Sequence, residues 1–487
     1  MINYRKFYYL KILILFILIT VIFFSKNPIN HWLEGDIENS YFIYNTLLTS
    51  NSITPSVIDY PGNSSFSINS LYLKLVSAFD KNIQINLNNI LKSSNPLLNL
   101  NKIYFYLKIL QLIYFLITLF CLYKILNFIT SNDNVSYSLT FLFLLSAPLI
   151  DNIQRYRFDF ESFSFYIFST IFLIFAITSK QKKIFIMISG FFLCMSFFSK
   201  LIIIPLFLIV PMFFYLKHEK NIQNLFKNFF FNKRLIFLFL ILNCLIFVIY
   251  INSSIKLILL FLNVLLYLMF YFFYSKLFEN FKNKKDYYLS IFLMGIFLGI
   301  AFMYSQSINF EKIFIVSFPF IIFDHHFSVS THPSNFFENI INSITPSKLN
   351  FFEITTISII LFLLVKNKNY FLLNFYLFLI YLMYKLILVS KGEYLDIFPY
   401  FILIFLIALN IKTSKNIYLI YSLIIFNLIL NFNTLTNSNL NNNINDELFC
   451  MTSNYTEKEF KELKANENFI LYYLPKFADQ KFLKKLC

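Results

Sequence analysis

The sequence LILLFLNVLLYLMFYFF, residues 257–273, contains no charged side chain. Similar apolar runs occupy residues 10–24 and 235–250, and each approaches the roughly 20 residues that an α-helix needs to cross a bilayer. Of the 487 residues, 58% are hydrophobic and only 14% are charged, whereas soluble domains are about 25% charged. A water-soluble protein of this length would lack the polar surface that covers its core. The composition therefore predicts an all-α polytopic membrane protein.

The number of apolar runs predicts roughly thirteen transmembrane helices. The first run shows no small-residue cleavage site, which favours an uncleaved span over a signal peptide. We therefore expect a membrane domain over residues 1–432, followed by a small tail over residues 433–487. The predicted spans lie at about residues 8–24, 103–123, 137–150, 161–178, 184–198, 201–216, 235–251, 257–274, 288–304, 352–365, 370–389, 398–411 and 416–432.

The net charge of +16 comes from short lysine clusters between the apolar runs. This pattern argues against a nucleic-acid-binding surface, because basic residues in short loops mark the cytoplasmic side of a membrane protein. With a cytoplasmic N-terminus, every cluster falls on the cytoplasmic side and the tail falls outside. The clusters are Lys180, Lys182 and Lys183; Lys217, Lys220, Lys227, Lys233 and Arg234; Lys276, Lys282, Lys284 and Lys285; Lys366 and Lys368; and Lys412 and Lys415.

The first outer loop, about residues 25–102, contains two short helical patterns. They cover residues 38–50 and 66–79, and the second places Leu71, Leu75 and Phe79 on one apolar stripe. Both patterns are too short to span a bilayer, so we expect helices that lie along its outer surface.

Two further pairs of residues predict packing and cross-linking. Gly295 and Gly299 form a G-x-x-x-G pattern in one span, which predicts close contact with a neighbouring helix. Cys450 and Cys487 both lie in the outer tail, where the compartment permits a disulfide bond, and we expect one between them.

Three carboxylates, those of Glu34, Asp36 and Glu38, fall within five residues just after the first span. Carboxylates this close repel one another and need positively charged or metal partners where they are partly buried. One interpretation is a solvated helix cap, with Asp36 as the N-cap residue. The other makes Asp36 or Glu38 a general base or a metal ligand. Both interpretations remain open at the level of sequence.

The segment DNIQRYRFDFE, residues 151–161, places Arg155, Arg157 and Asp159 at the expected outer ends of two spans. Some of its charges can simply pair with one another. Ionisable residues at membrane depth are nonetheless functional candidates, and paired arginines suit a phosphate or diphosphate group.

Lys200 is the only charged residue in the stretch 184–216, and its expected position outside runs against the distribution of the other lysines. It can extend to the membrane surface without a further role. The exception to the trend favours a ligand, for which an anionic lipid headgroup is suitable. Lys391, Glu393 and Asp396 form another charged corner outside, whereas His325, His326 and His332 give only a weak metal-binding pattern.

The order of these segments resembles the GT-C superfamily of membrane glycosyltransferases, most closely its protein-mannosyltransferase and aminoarabinose-transferase branch. The resemblance covers about 400 residues in short motifs. One departure is Glu393, which stands where family members usually place a basic residue. The matching motifs are Gly35-Asp36-Ile37-Glu38, Asn45-Thr46-Leu47-Leu48, Asp59-Tyr60-Pro61-Gly62, Arg157-Phe158-Asp159, Ser199-Lys200 and, in part, Glu393-Tyr394-Leu395 with Pro399.

The resemblance implies a glycosyltransferase that moves a sugar from a polyprenyl-phosphate donor to a lipid, glycan or protein acceptor. The reaction would take place on the extracytoplasmic face of a membrane, which we expect to be a bacterial inner membrane. Asp36 would be the catalytic base. Some branches of the superfamily use a divalent metal, for which Glu38 and Asp159 are the candidates here. The donor phosphate would be bound by Arg155, Arg157, Lys200 and Lys391.

Two other classes of membrane protein remain open. A transporter or flippase suits the number of spans, although such proteins usually bind near the membrane midplane and often show internal repeats. The charges of this chain instead cluster at one face, and its two halves show no repeat. A ligase or polymerase of surface polysaccharide would share the substrates of a glycosyltransferase.

Overall fold

The computed structural model describes residues 2–26, 38–55, 62–92, 96–154, 156–200, 206–207, 268, 271, 274–275, 277–278, 285–306, 397–410, 418 and 420–425. Within these residues the regular structure is helical throughout, as the sequence predicts. The helices are α1 (Ile2–Lys26), α2 (Glu38–Ser50), α3 (Asn63–Phe79), α4 (Leu87–Lys92), α5 (Pro96–Thr130), α6 (Asp133–Leu144), α7 (Ala147–Gln154), α8 (Phe158–Thr178), α9 (Lys182–Ser199), α10 (Lys285–Ser305) and α11 (Ile397–Asn410).

Four stretches of helix in the described residues are long and apolar enough to cross a membrane. They are Leu98–Thr130 of α5, all of α8 and α9, and Tyr287–Ser305 of α10. Outward-facing side chains of the bundle are also large and apolar, such as Val21 of α1 (58% exposed) and Phe297 of α10 (68% exposed). Such faces are favourable against lipid and unfavourable against water. The described part of the chain is therefore an all-α membrane protein.

Most of the predicted spans that fall on described residues are confirmed as helices. Those at about residues 103–123, 161–178, 184–198 and 288–304 coincide with the four apolar helices, and those at about 8–24 and 398–411 coincide with α1 and α11. Several predictions lie wholly or largely outside the described residues, so the total of roughly thirteen spans stays a prediction. These are the spans at about residues 201–216, 235–251, 257–274, 352–365, 370–389 and 416–432, and the tail with Cys450 and Cys487.

The span predicted at about residues 137–150 is two helices rather than one. α6 ends at Leu144 and α7 begins at Ala147. Pro148 accounts for the break, because a proline inside a continuous helix lacks an N–H donor and its ring clashes with the carbonyl group four residues earlier. That carbonyl belongs to Leu144, the last residue of α6. In α7, Pro148 lies in the first turn, where a missing N–H costs nothing.

α8 and α9 form an antiparallel pair joined by the turn at residues 179–181. Serine hydroxyl groups link the two helices. Ser162 and Ser196 each donate to the other's carbonyl oxygen, at 2.9 and 2.8 Å, and Ser189 donates to the carbonyl oxygen of Ser169 at 2.9 Å. Hydrogen bonds between helices of this kind are typical of membrane proteins, where water does not compete. The pairing brings the start of α8 next to the end of α9.

Glycines allow α9 and α10 to pack closely. A Cβ atom added at Gly295 would overlap the carbonyl oxygen of Met187, and one at Gly299 would lie 2.9 Å from the Sγ of Cys194. Gly190 approaches the backbone of α10 equally closely. The close packing predicted from the G-x-x-x-G pattern is therefore confirmed, and the order of the contacts shows that α9 and α10 run parallel.

The two helices predicted in the first outer loop are present as α2 and α3, and α3 begins at Asn63, three residues earlier than predicted. In α3 the stripe of Leu71, Leu75 and Phe79 is exposed by 40, 55 and 90%, as expected of a face directed at the membrane surface. In α2, by contrast, residues 42–50 are buried all round rather than on one face. This helix therefore belongs to the protein interior.

The bundle has two ends, which we name by their lysines. The Lys200 end contains Gly62, the start of α8 and the end of α9. α5 runs parallel to α8, since Tyr104 contacts Tyr156 just before α8 and, further along both segments, Phe115 stacks on Phe160 with ring centroids 3.7 Å apart. α5 then continues for fifteen residues to Thr130, about 22 Å further along its axis. The Lys11 end, where Lys11 contacts Asp133 just after Thr130, is therefore opposite the Lys200 end.

Candidate functional site

Three of the predicted site residues are described, and all three lie at the Lys200 end. Arg157 is the N-cap residue of α8, Asp159 lies in the first turn of α8, and Lys200 is the C-cap residue of α9. Each is buried, with 5, 1 and 8% of its surface exposed. Asp36, Arg155, Lys391 and the side chain of Glu38 lie outside the described residues.

Lys200 and Asp159 form a buried ion pair. The Nζ atom of Lys200 lies 2.9 Å from Oδ1 of Asp159. The contact is electrostatic rather than directional, because Oδ1 accepts no hydrogen bond of normal geometry. Burying either charge alone would cost several kcal/mol, so each residue compensates the other. The sequence predicted only that both residues lie on the same side of the membrane, and the structure adds that they touch.

Glu161 was not predicted as a site residue, although it belongs to the charged segment 151–161. It is 1% exposed and lies about one turn into α8. The Nδ2 atom of Asn69 donates to Oε1 of Glu161 at 3.2 Å and to the hydroxyl oxygen of Tyr156 at 2.7 Å, and Ser65 also hydrogen-bonds to Glu161. Burial, and secondarily the charge of Glu161, raise the pKa of Tyr156 well above its usual range. The Tyr156 hydroxyl therefore stays protonated near neutral pH.

The start of α3 is held against the end of α9 by four polar contacts. The N–H of Gly62 donates to the carbonyl oxygen of Phe198 at 3.1 Å, and Ser64 donates to that of Met195 at 2.6 Å. The hydroxyls of Ser64 and Ser65 both hydrogen-bond to that of Ser199, at 2.6 and 2.8 Å. The start of α3 is thus fixed directly beside Lys200.

Gly62 is required at its position for two reasons. Its φ of +142° lies in a region that residues with side chains rarely adopt. A Cβ atom there would also lie 2.6 Å from the Cδ2 of Phe158. In the sequence, Gly62 ends the motif Asp59-Tyr60-Pro61-Gly62, and the structure supplies the conformational reason for a glycine there.

Several buried polar atoms near these residues have no hydrogen-bond partner within the described part of the chain. Buried polar groups are usually paired, so each exception needs an explanation such as a water molecule, an ion or a ligand. Four such atoms lie on α3 and on Glu161 of α8, and Asn69 and Glu161 are in direct contact. The four atoms are Nδ2 of Asn63, Oδ1 of Asn69, Oγ of Ser70 and Oε2 of Glu161.

A buried lysine supports the connection between α7 and α8. Lys108 of α5 is fully buried, and its Nζ donates to the carbonyl oxygen of Ile153 at 3.1 Å. The Nε2 of Gln111 donates to the carbonyl oxygen of Asn152 at 3.0 Å. These carbonyl groups belong to the last turn of α7, where a helix lacks its own donors and favours a positive charge. Lys108 and Gln111 therefore fix the helix that leads into Arg157.

Asp159 stays a predicted divalent-metal ligand that the described residues do not test. Its Oδ1 already lies beside the ammonium group of Lys200, which a metal ion would have to displace. In the described ranges, no three His, Cys, Asp or Glu side chains are grouped closely enough to hold a metal ion. The other predicted ligand, Glu38, has no described side chain.

The geometry thus combines two cations, two carboxylates and unpaired polar atoms in a buried region where membrane-crossing helices meet the first outer loop. Comparison of the chain with protein-family models, with curated proteins and with solved structures found no match.

Proposed function

We propose that this protein is a GT-C-type glycosyltransferase that moves a sugar from a polyprenyl-phosphate donor to a lipid, glycan or protein acceptor. In this proposal the chain crosses a bacterial inner membrane roughly thirteen times, with a cytoplasmic N-terminus and an extracytoplasmic tail. The Lys200 end of the bundle then faces the extracytoplasmic side.

The observation that carries the proposal is the buried Lys200–Asp159 pair beside Arg157 at the ends of two apolar helices. Ionisable residues are costly at membrane depth and are retained there mainly for function. Two cations at the end of a bundle suit an anion that is itself anchored in the membrane, such as a lipid phosphate. Their position at one end, rather than at the middle of a span, favours a surface reaction over transport through the bundle.

The proposed reaction assigns a role to each predicted residue. Asp36 accepts the proton of an acceptor hydroxyl, whose oxygen attacks the anomeric carbon of the sugar. The bond between that carbon and the phosphate oxygen breaks, and the polyprenyl phosphate leaves with the electron pair. Arg157 and Lys200 stabilise the negative charge of the leaving phosphate, with Arg155 and Lys391 as further candidates. Asp159 orients Lys200 through the ion pair.

The test uses the full-length protein in proteoliposomes with a panel of polyprenyl-phosphate-linked sugars and an extract of envelope acceptors. Because every donor releases the same product, free polyprenyl phosphate can be measured whichever sugar is used. We expect acceptor-dependent release from at least one donor, its loss in Lys200→Ala, and its retention in Lys11→Ala, the matched variant at the opposite end. Donor that crosses the membrane without being cleaved would indicate a flippase and overturn the proposal.

A further inference from the structure

The first turn of α3 is a buried helix N-terminus without a cap. Its N-cap residue is Gly62, which has no side chain, and its first turn contains no acidic residue. Within the described residues, the backbone N–H groups of Asn63, Ser64 and Ser65 have no hydrogen-bond partner, although all three residues are at most 1% exposed. The first N–H groups of any helix need an acceptor from outside the helix backbone, and these three are buried.

α6 shows how the same chain meets this requirement elsewhere. Its N-cap residue, Asn132, accepts hydrogen bonds from the N–H groups of Asn134 and Val135 at 3.1 and 3.3 Å. Asp133 in the first turn adds the negative charge that a helix N-terminus favours. α3 has neither device, so the acceptor for its first turn must come from outside the helix.

A second observation identifies what kind of acceptor fits. The Nδ2 group of Asn63, at the first position of α3, is also a buried donor without a partner. The first turn of α3 therefore contains four buried donors, and it is also the positive end of the helix dipole. The unpaired acceptor of Asn69 lies six residues further along α3, about 9 Å along the axis and on another face. A group that accepts hydrogen bonds and carries negative charge matches the first turn.

The position of the turn connects it with the proposed donor site. The hydroxyls of Ser64 and Ser65 contact that of Ser199, which precedes Lys200 in the chain. An anion bound by the first turn of α3 would therefore lie close to the Lys200 corner. Backbone N–H groups at a helix start are a common way to bind phosphate.

We propose that residues 62–65 are a phosphate-binding site, which takes the phosphate group of the polyprenyl-linked donor. The inference rests on the proposed function for the identity of the lipid, but the oxyanion chemistry would be the same for free phosphate.

The test changes the charge at this turn with minimal change of shape. Asn63→Asp replaces a donor with a carboxylate, which repels an anion while providing the helix start with favourable negative charge. Asn134→Asp makes the same change in the first turn of α6 at the opposite end and is the matched control. Asn63→Leu removes the donor without adding charge and serves if Asn63→Asp folds poorly. The full-length proteins are placed in lipid nanodiscs, and binding of labelled polyprenyl phosphate and of labelled inorganic phosphate is measured in separate experiments.

We expect Asn63→Asp to weaken polyprenyl-phosphate binding by about 100-fold and Asn63→Leu by about 10-fold, as for the loss of hydrogen bonds to a charged group. Asn134→Asp should bind normally. Asn63→Asp places a carboxylate at a buried position and should lower the thermal stability of the ligand-free protein, whereas Asn63→Leu buries no charge and should change it little. Normal lipid binding by both Asn63 variants would overturn the site and leave the proposed function standing. Binding of inorganic phosphate that depends on Asn63, without binding of the lipid, would keep the site and overturn the proposed donor. If the unmodified protein binds neither polyprenyl phosphate nor inorganic phosphate, both the site and the proposed donor are overturned.

Discussion

Two lysine–aspartate pairs with the same separation of 2.9 Å lie at opposite ends of the bundle, and they differ in their surroundings. At the Lys11 end, the side chain of Asp133 is 43% exposed, whereas that of Asp159 at the Lys200 end is 2% exposed. Asp133 also accepts a hydrogen bond from Tyr123, and Lys11 donates to Asn134 at 2.6 Å. The Lys11 pair is therefore in contact with solvent and has further hydrogen-bond partners, and we call it the wet pair.

The Lys200 pair is buried away from solvent, and we call it the dry pair. The hydrogen-bonding capacity of its carboxylate is only partly used. Oδ1 of Asp159 receives no directional hydrogen bond, and the neighbouring Glu161 keeps one oxygen without a partner in the described chain. The energetic consequence of a charge pair depends far more on burial than on distance, since water screens an exposed pair. The same two residue types therefore form an exposed ion pair at the start of α6 and a buried ion pair with incomplete hydrogen bonding at the start of α8.

Removing one member of the dry pair should have the largest effect. Lys200→Met leaves Asp159 buried without its cation, and loss of one partner from a buried pair costs about 3–5 kcal/mol. The free energy of unfolding in detergent should fall by this amount. The double variant Lys200→Met with Asp159→Leu should recover most of the stability, because no lone charge remains, but should not recover sugar transfer. A loss below about 1 kcal/mol in the single variant would contradict the interpretation of the pair as dry.

The second prediction concerns the proposed base in the outer loop. Asp36→Asn keeps the shape of the side chain but removes the proton acceptor, so sugar transfer should fall by about 100-fold or more while protein level and donor binding persist. If Asp36 only caps a helix, the same substitution should be nearly silent, since Asn caps about as well as Asp. Transfer from a polyprenyl-phosphate donor in reconstituted membranes distinguishes the two. Full activity would leave Glu38 or Asp159 as the base.

The positions of the apolar helices could be predicted because hydropathy is a local property of the sequence. The predicted spans at about residues 161–178 and 184–198 match α8 and α9 to within three residues at each end. The break between α6 and α7 was missed because the apolar run continues across it, and only Pro148 signals it. The burial of residues 42–50 of α2 on every face was also missed, since the sequence pattern suggests one apolar face and burial depends on neighbours distant in sequence.

The candidate site was predictable only in part. Arg157, Asp159 and Lys200 stand out because they are charged residues among apolar ones, and alternation of spans places them at one end. Asn69 and the uncapped start of α3 carry no such signal, because an Asn or Ser in a loop is unremarkable until its burial is known. Their contribution depends on α3 packing against α9, which no local pattern encodes.

The third prediction lies between the two ends, where α9 packs on α10. Gly295→Ala places a methyl group against the carbonyl oxygen of Met187, and such overpacking costs about 1–3 kcal/mol. Without that contact, Ala would stabilise the helix by up to about 1 kcal/mol. Unfolding in detergent should show a net loss for Gly295→Ala and little change for Ala301→Val, which adds volume on the exposed face. A gain in stability for Gly295→Ala would show that the helices are less tightly packed than the contacts indicate.

The smallest effect is expected at the wet pair, and it is the control for the first prediction. Lys11→Met removes a cation from Asp133, but Asp133 is 43% exposed and keeps the hydrogen bond from Tyr123. It also remains in the first turn of α6, where the helix dipole stabilises a carboxylate whether or not a lysine is present. Exposed pairs contribute about 0–1 kcal/mol, so the free energy of unfolding should change by no more than this, and less at high salt. Sugar transfer should be unchanged. If Lys11→Met destabilises the protein as much as Lys200→Met does, burial is not what separates the two pairs, and the functional assignment of the Lys200 end loses its physical basis.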